Sequence, residues 1–246
     1  MTRTVDPDEI ERFSAIAAEW WDPAGKFAPL HKLNPVRLTY IRDALTHHFA
    51  RDAKAPRPLE GLNLLDIGCG GGLLCEPMHR LGATVTGLDA GEANIKTAQA
   101  HAGALGLAID YQATTVEALA GEGKQFDAIL NMEVIEHVAD RALFLQATAT
   151  LLKPGGILVA STMNRTLRAL GLAVIGAEYI LGWLPRGTHN WNKFITPAEL
   201  EADLKRAGLT VTGKIGMVYN PLFDRWSLAD DLAVNYMVTA LKNPLD

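Results

Sequence analysis

"LLDIGCGGG", residues 64–72, sets four glycines and a cysteine behind a short apolar run, with an acid two residues before the first glycine. Apolar residues giving way at once to glycines read as a buried strand that turns sharply into a helix. In an open parallel sheet that turn borders the crevice where ligands bind, and Gly68, Gly70 and Gly72 keep side chains away from whatever lies there. Two common phosphate-binding patterns are excluded by spacing. Read from Gly68 and Gly70, G-x-G-x-x-G places Leu73 where the third glycine belongs, and no Gly-Lys-Ser or Gly-Lys-Thr follows for a Walker loop. The sequence instead offers the carboxylate of Asp66, which suits a cationic ligand better than a pyrophosphate.

A second run, "TVTGLD" at residues 84–89, ends on Asp89. An acid there, about twenty residues beyond the glycine turn, is placed to accept hydrogen bonds from ribose hydroxyls. Asp66 and Asp89 together describe a site for a nucleoside that carries positive charge.

Outward from these motifs, short apolar runs alternate with helical periodicity, the pattern of a parallel sheet with crossover helices. Strands are expected at Asn63–Ile67, Thr84–Asp89, Ile109–Gln112, Ala128–Met132 and Gly156–Thr162, with helices near Leu73–Leu81, Ala93–Leu105 and Arg141–Leu152. Leu209–Ile215 and Met217–Tyr219 have no helix-length spacer between them, so they are expected to pair antiparallel at a sheet edge. Asp6-Pro7 and Asn34-Pro35 each read as an N-cap followed by proline in the first turn, so two helices open the chain. "WWDPAGKFAPLHKLNP" between them is too rich in proline and aromatic residues for a regular element and reads as a lid.

The chain has 246 residues, a net charge of -5 and 21% charged residues, an ordinary globular composition without a global basic footprint for nucleic acid. The two cysteines, Cys69 and Cys75, have no second pair to complete a zinc site and read as free thiols of a reducing compartment. The first residues lack the apolar centre of a signal peptide and are too acidic for a transit peptide, so a cytoplasmic location is expected.

"EVIEH" follows the fourth strand. If the segment is helical, Glu133, Glu136 and His137 share one face at i, i+3 and i+4. They would then hold a divalent cation, or serve without metal as a helix cap and a single general base. His189 in "RGTHNWNKF" is a second candidate base, and His31 either orients substrate or packs on the tryptophans. From Ala169 to Leu184 the chain is apolar except for Glu178, and Arg165, Arg168 and Arg186 flank it. That stretch falls short of the ~20 residues that span a bilayer. On composition alone it reads as a buried helix or a dimer contact; its basic edges also fit a segment dipping into an anionic membrane surface.

"LLDIGCGGG", "TGLD", "FDAILNMEVIEHV" and "LLKPGGILVAST" resemble the ordered motifs of class I S-adenosylmethionine-dependent methyltransferases. With "WWDPAGKFAPLHKLNPVRL", "GAEYILGWLPRGTHNWNKFITPAEL" and "VNYM", nearly the whole chain resembles the ubiquinone-biosynthesis O-methyltransferase family. The resemblance implies a Rossmann-like α/β fold: a mostly parallel seven-stranded sheet with an antiparallel edge strand, helices on both faces and an N-terminal helical extension. It implies one methyltransferase domain, with residues 1–60 as lid, 61–162 as S-adenosylmethionine-binding core, 163–195 as apolar insertion and 196–246 as the substrate side of the sheet. Arg37, Gly68, Asp89 and Met132 would line the S-adenosylmethionine pocket, joined by Asp66 and Gly70 of the glycine turn. His137 and Glu133 would be catalytic, and Glu133, Glu136 and His137 would hold Mg²⁺ or a similar ion.

By the same resemblance the substrates are 2-polyprenyl-6-hydroxyphenol and 3-demethylubiquinol, and the spent donor is S-adenosylhomocysteine. The insertion at about Ala169–Leu184 would place the enzyme peripherally on the inner face of an anionic membrane, with other ubiquinone-synthesis enzymes as partners and no nucleic acid. Three rivals remain at this point. A methyltransferase of the same fold for another small acceptor would differ in the insertion and lid. A nicotinamide-dependent oxidoreductase is opposed by the missing third glycine. A membrane-binding scaffold would bind cofactor or lipid without turnover.

Overall fold

Asn63–Ile67 forms β1 and Thr84–Asp89 forms β2, both with the expected limits. The structure, a computed structural model, describes residue 4, residues 6–171 and residues 191–244. β3 (Asp110–Ala113), β4 (Phe126–Met132), β5 (Leu152–Met163), β6 (Leu209–Asn220), β7 (Arg225–Ala229) and β8 (Asn235–Lys242) complete one sheet. Its order is β3-β2-β1-β4-β5-β8-β6-β7, so among the described residues eight strands stand where seven are expected. β3, β2, β1, β4 and β5 are parallel, and β8 is antiparallel to both β5 and β6.

The parallel strands are apolar on both sides because helices cover both faces. Leu65, Ile129 and Leu158 pack with Phe144 of α6 (Arg141–Leu151) and Leu200 of α8 (Pro197–Arg206). Their neighbours Leu64, Leu130 and Val159 pack on the other face. There they meet Ile41 of α2 (Ala28–His48), Met78 of α3 (Cys75–Arg80) and Ile95 of α4 (Glu92–Ala104). α1 (Pro7–Ser14) contacts α4, the short α5 (Val116–Ala120) packs on α6, and the single turn α7 (Leu167–Ala169) follows β5. No helix among the described residues is long and apolar enough to cross a membrane.

Most other limits shift by one to four residues, and two expectations change more. α2 begins at Ala28, not at Asn34-Pro35, and Pro35 lies inside it. Asn34 is buried and sends Nδ2 to the Leu73 carbonyl at 3.0 Å, a tertiary hydrogen bond that its cap-like neighbour concealed. The break expected at Gly216 is also absent, because β6 runs unbroken from Leu209 to Asn220 and its antiparallel partners are β7 and β8. Gly216 serves a crossing: a Cβ there would strike the Asp231 carbonyl in the loop that leads back to β8.

Candidate active site

Strand order reverses between β1 and β4, and a cavity of about 640 Å³ opens at the carboxyl ends of the strands there. In sheet order its wall runs from Asp89 at the end of β2 and Gly68 after β1, past Met132 at the end of β4 and His137 beyond it, to Met163 of β5, Met217 of β6 and Trp226 of β7. Arg37, Gly68, Asp89, Met132, Glu133, Glu136 and His137 all line it, so the topology gathers most of the residues expected from sequence. Asp66 and Gly70 do not line it. Both stand behind the wall, in and beneath the glycine turn.

Asp89 organises the first end. Its carboxylate accepts from the backbone N–H of Gly70 (3.0 Å) and Gly91 (2.7 Å) and from Asn94 Nδ2 (3.1 Å). Burial raises its pKa above the ordinary range, and these donors partly offset the rise. Asn94 Oδ1 in turn accepts from Trp20 Nε1 at 2.9 Å, which ties the lid to the acid. The Trp20 indole lies on the glycine turn, where a Cβ on Gly70 or Gly71 would run into its ring. Trp20 also stacks on Phe27 with ring centres 3.7 Å apart, and Trp21 Nε1 donates to the Gly71 carbonyl at 2.9 Å. His31 belongs to this lid: its Nε2 lies 2.9 Å from the Trp20 carbonyl, so the ring nitrogen donates and the residue packs with the tryptophans.

Beneath the turn Asp66 is fully buried and accepts from Cys75 Sγ at 3.2 Å. Burial lifts its pKa to about 7, against the lowering effect of that thiol, and the nearby Asp89 adds to the rise. Cys69 and Cys75 are both buried free thiols, and burial raises the pKa of each.

Arg37 is buried on α2 and pairs through Nη2 with Glu133, while its Nε is buried without a hydrogen-bond partner. An unpartnered guanidinium donor in a cavity wall is costly unless a ligand completes it. Planar carboxylate is the group its fork fits best.

"EVIEH" does not form the helical face that its spacing suggests. Glu133 has a left-handed backbone (φ 58) and only Ile135–His137 makes a 3-10 turn, so the three side chains diverge. Glu133 meets Arg37, Glu136 accepts from Thr162 Oγ1 at 2.9 Å, and His137 faces α1. Its Nδ1 lies 3.4 Å from Glu9 Oε2, an ion-pair distance without a well-formed hydrogen bond, and Phe13 meets its ring edge-on at 5.7 Å. Burial opposes charging of the imidazole, but Glu9 and Glu136 outweigh it and raise the His137 pKa, with Lys193 acting the other way. Glu9 is correspondingly held down to about 2, chiefly by His137. Among the described residues no group of three His, Cys, Asp or Glu side chains is placed to hold a metal ion. As placed, then, Glu133, Glu136 and His137 suit a divalent cation in chemistry but not in arrangement.

Several wall residues have no signal in sequence. Glu9 and Phe13 sit on an amphipathic helix like many others, and Asn94 and Trp226 match no motif. His189 and most of Ala169–Leu184, with Arg186, lie outside the described residues.

Residues 37–214 match a family described as "Methyltransferase domain". A ubiquinone biosynthesis O-methyltransferase from Chelativorans sp. (strain BNC1) is 61% identical over 239 residues, 97% of this chain and 94% of that one. The protein of that name from Brucella anthropi is 61% identical over 96% of each chain. Among solved structures, magnesium protoporphyrin IX methyltransferase from Synechocystis PCC 6803 with bound S-adenosylhomocysteine superposes with a TM-score of 0.60 at 19% identity, covering 96% of this chain and 93% of that one. A glycine turn that fails the dinucleotide pattern, an acid ending β2, antiparallel strands beyond β5 and identity at this level over almost the full length agree: the chain belongs to the ubiquinone biosynthesis O-methyltransferase family, within the class I S-adenosylmethionine-dependent methyltransferases.

Proposed function

We propose that the chain methylates the phenolic hydroxyls of polyprenylated catechol and hydroquinone intermediates, 2-polyprenyl-6-hydroxyphenol and 3-demethylubiquinol, with S-adenosylmethionine as donor. The observation that carries this reading is the single cavity running from Gly68 and Asp89 past His137 to the apolar end at Met217 and Trp226. One end offers carboxylate to a ribose, and the other offers methionine and aromatic surface to a ring and its tail.

In this reading Asp89 exchanges part of its hydrogen bonding for the ribose hydroxyls, and Arg37 Nε takes the methionine carboxylate. Met132 packs between them at the end of β4. Asp66 and Gly70 support that end from behind, and residues 1–60 close over it. Transfer is an in-line displacement, so the main task of these residues is to align the phenol oxygen with the methyl carbon and the sulfur. The C–O bond forms as the C–S bond breaks, the sulfonium becomes the neutral thioether of S-adenosylhomocysteine, and the phenol proton must leave. A tyrosine-like phenol has a pKa of about 10, so a base is needed near neutrality. His137, midway along the cavity, takes that proton, and Glu133 holds Arg37 in place.

A divalent cation on Glu133, Glu136 and His137 is a second reading, favoured by three such side chains opening on one cavity. It requires Glu133 to leave Arg37 and His137 to leave Glu9. The test is turnover of methyl-labelled S-adenosylmethionine with a short-tailed polyprenyl catechol after exhaustive EDTA treatment, and again with Mg²⁺. Turnover in both conditions keeps His137 as the working base. Turnover only with Mg²⁺ assigns the cation to the three side chains after regrouping, and no turnover in either rejects this acceptor in favour of another small molecule.

The polyprenyl tail places the acceptor in a bilayer, and we read the enzyme as peripheral on the inner face of an anionic membrane, with Ala169–Leu184 as one contact and other enzymes of the pathway as partners. For the donor side, Asp89→Ala is expected to weaken S-adenosylmethionine binding by about 10–100-fold, since hydrogen bonds to a charged acceptor contribute about 1.5–3 kcal/mol. Calorimetric titration of the folded variant measures it, and an unchanged Kd removes Asp89 from the ribose role.

A further inference from the structure

The described surface carries few large exposed apolar side chains, and two of them are neighbours: Leu222 is 82% exposed and Phe223 is 72% exposed. They form the tip of the hairpin between β6 and β7, and nothing in the reaction uses them. Their position follows from register. Met163 of β5 is paired with Asn235 of β8, which is paired with Met217 of β6, so these three stand abreast in the cavity wall at the strand ends. β6 continues to Asn220, where it pairs with Arg225 of β7. Three residues of strand carry the tip about 10 Å past that row.

The tip is braced. Asp224, with a left-handed backbone (φ 45), accepts from Tyr219 Oη at 2.6 Å and pairs with Lys32 of α2 at 2.7 Å. Its base is part of the cavity, since Tyr219, Pro221 and Trp226 line the wall on either side of Leu222 and Phe223. Arg225 beside it is exposed and makes no ion pair among the described residues. After β5 in the chain, Leu167, the first residue of α7, is 80% exposed.

We propose that this hairpin tip is a lipid-docking element: Leu222 and Phe223 enter the outer part of an anionic phospholipid bilayer, Arg225 meets its headgroups, and the cavity mouth beside them opens onto the membrane. A rigid apolar tip with an unpaired cation is the arrangement that gains both by burying apolar surface and by attraction to anionic headgroups. A soluble acceptor gives no reason to expose Leu and Phe at a cavity mouth, whereas a tailed acceptor must pass from bilayer to cavity at some point. The proposal rests on the polyprenylated acceptor assigned above, but it names a contact separate from Ala169–Leu184, which every protein in the test retains.

The test compares the full-length parent, the double variant Leu222→Ser/Phe223→Ser, and Arg225→Glu. Co-sedimentation with vesicles of phosphatidylglycerol and phosphatidylethanolamine, and with neutral phosphatidylcholine vesicles, is read without substrate, so failure of the assigned reaction does not affect it. The double variant is expected to partition about ten-fold or more less into both vesicle types, through loss of two buried apolar side chains. Arg225→Glu is expected to lose binding to the anionic vesicles only. A tail-less catechol reports folding: turnover by both variants equal to the parent shows the site intact, while the double variant loses turnover of vesicle-embedded substrate. Sedimentation of the double variant equal to the parent overturns the proposal. So does a parent that ignores vesicles and elutes as a dimer that the double variant dissociates, because the tip then joins two copies of the chain.

Discussion

Alanine in place of His137 is expected to lower turnover by about 10²–10⁴-fold, the range a positioned acid or base contributes. The Kd for S-adenosylmethionine should stay within about two-fold, because His137 follows β4 whereas the proposed ribose contact, Asp89, ends β2 on the far side of β1. That split between turnover and binding separates a proton-transfer role from a structural one. His137 is also packed, edge-on to Phe13 and opposite Glu9, so its loss loosens α1 as well. Added imidazole resolves the two effects: turnover recovered by a free base points to the missing proton acceptor, and turnover that stays low with α1 displaced points to the missing packing. A variant that turns over like the parent removes His137 from the chemistry.

Asp66→Asn is expected to stabilise the protein at pH 8 by up to about 4 kcal/mol while changing little near pH 4. In the unfolded chain Asp66 gives up its proton near the ordinary value of 3.8, whereas burial beneath the glycine turn keeps it protonated in the native state until about pH 7. Between those values the unfolded state binds fewer protons, so native stability falls as pH rises, and above them the loss is complete. A preference spanning 3.8 to about 7 corresponds to about 4 kcal/mol, since each pH unit is worth about 1.4 kcal/mol. Asparagine cannot ionise and still offers an oxygen to Cys75 Sγ. Urea unfolding of both proteins at pH 5 and pH 8 gives the difference directly. A gap that widens toward alkaline pH is the expected outcome, and a constant gap means that Asp66 ionises as freely in the native protein as in the unfolded one.

The parts of the fold legible in sequence were those that depend on local pattern. β1 and β2 have clear limits because each is a buried run closed by a turn glycine or an acid, and Asp89 follows from the same rule. What was not legible depended on distant partners. Asn34-Pro35 has the letters of a cap, but a carbonyl from another element, that of Leu73, claims the Asn34 side chain. "EVIEH" has helical spacing, yet the chain leaves β4 through a left-handed residue before it can coil. The glycine turn shows the limit most plainly. Its bareness points to a ligand, but at Gly70 and Gly71 the neighbour that demands it is Trp20, fifty residues earlier. No local window contains both.

The place of β8 bears on how the chain is made. It follows β6 and β7 in sequence, yet it lies between β5 and β6 and pairs with each along most of its length. A ribosome therefore delivers both neighbours before the strand that joins them. Until Asn235–Lys242 emerges, β5 and the β6–β7 hairpin each present an unpaired edge, and such edges recruit other chains. Nascent chains stalled before Asn235 are the ones that chaperones would be expected to hold longest, and the sheet closes in one late step rather than strand by strand.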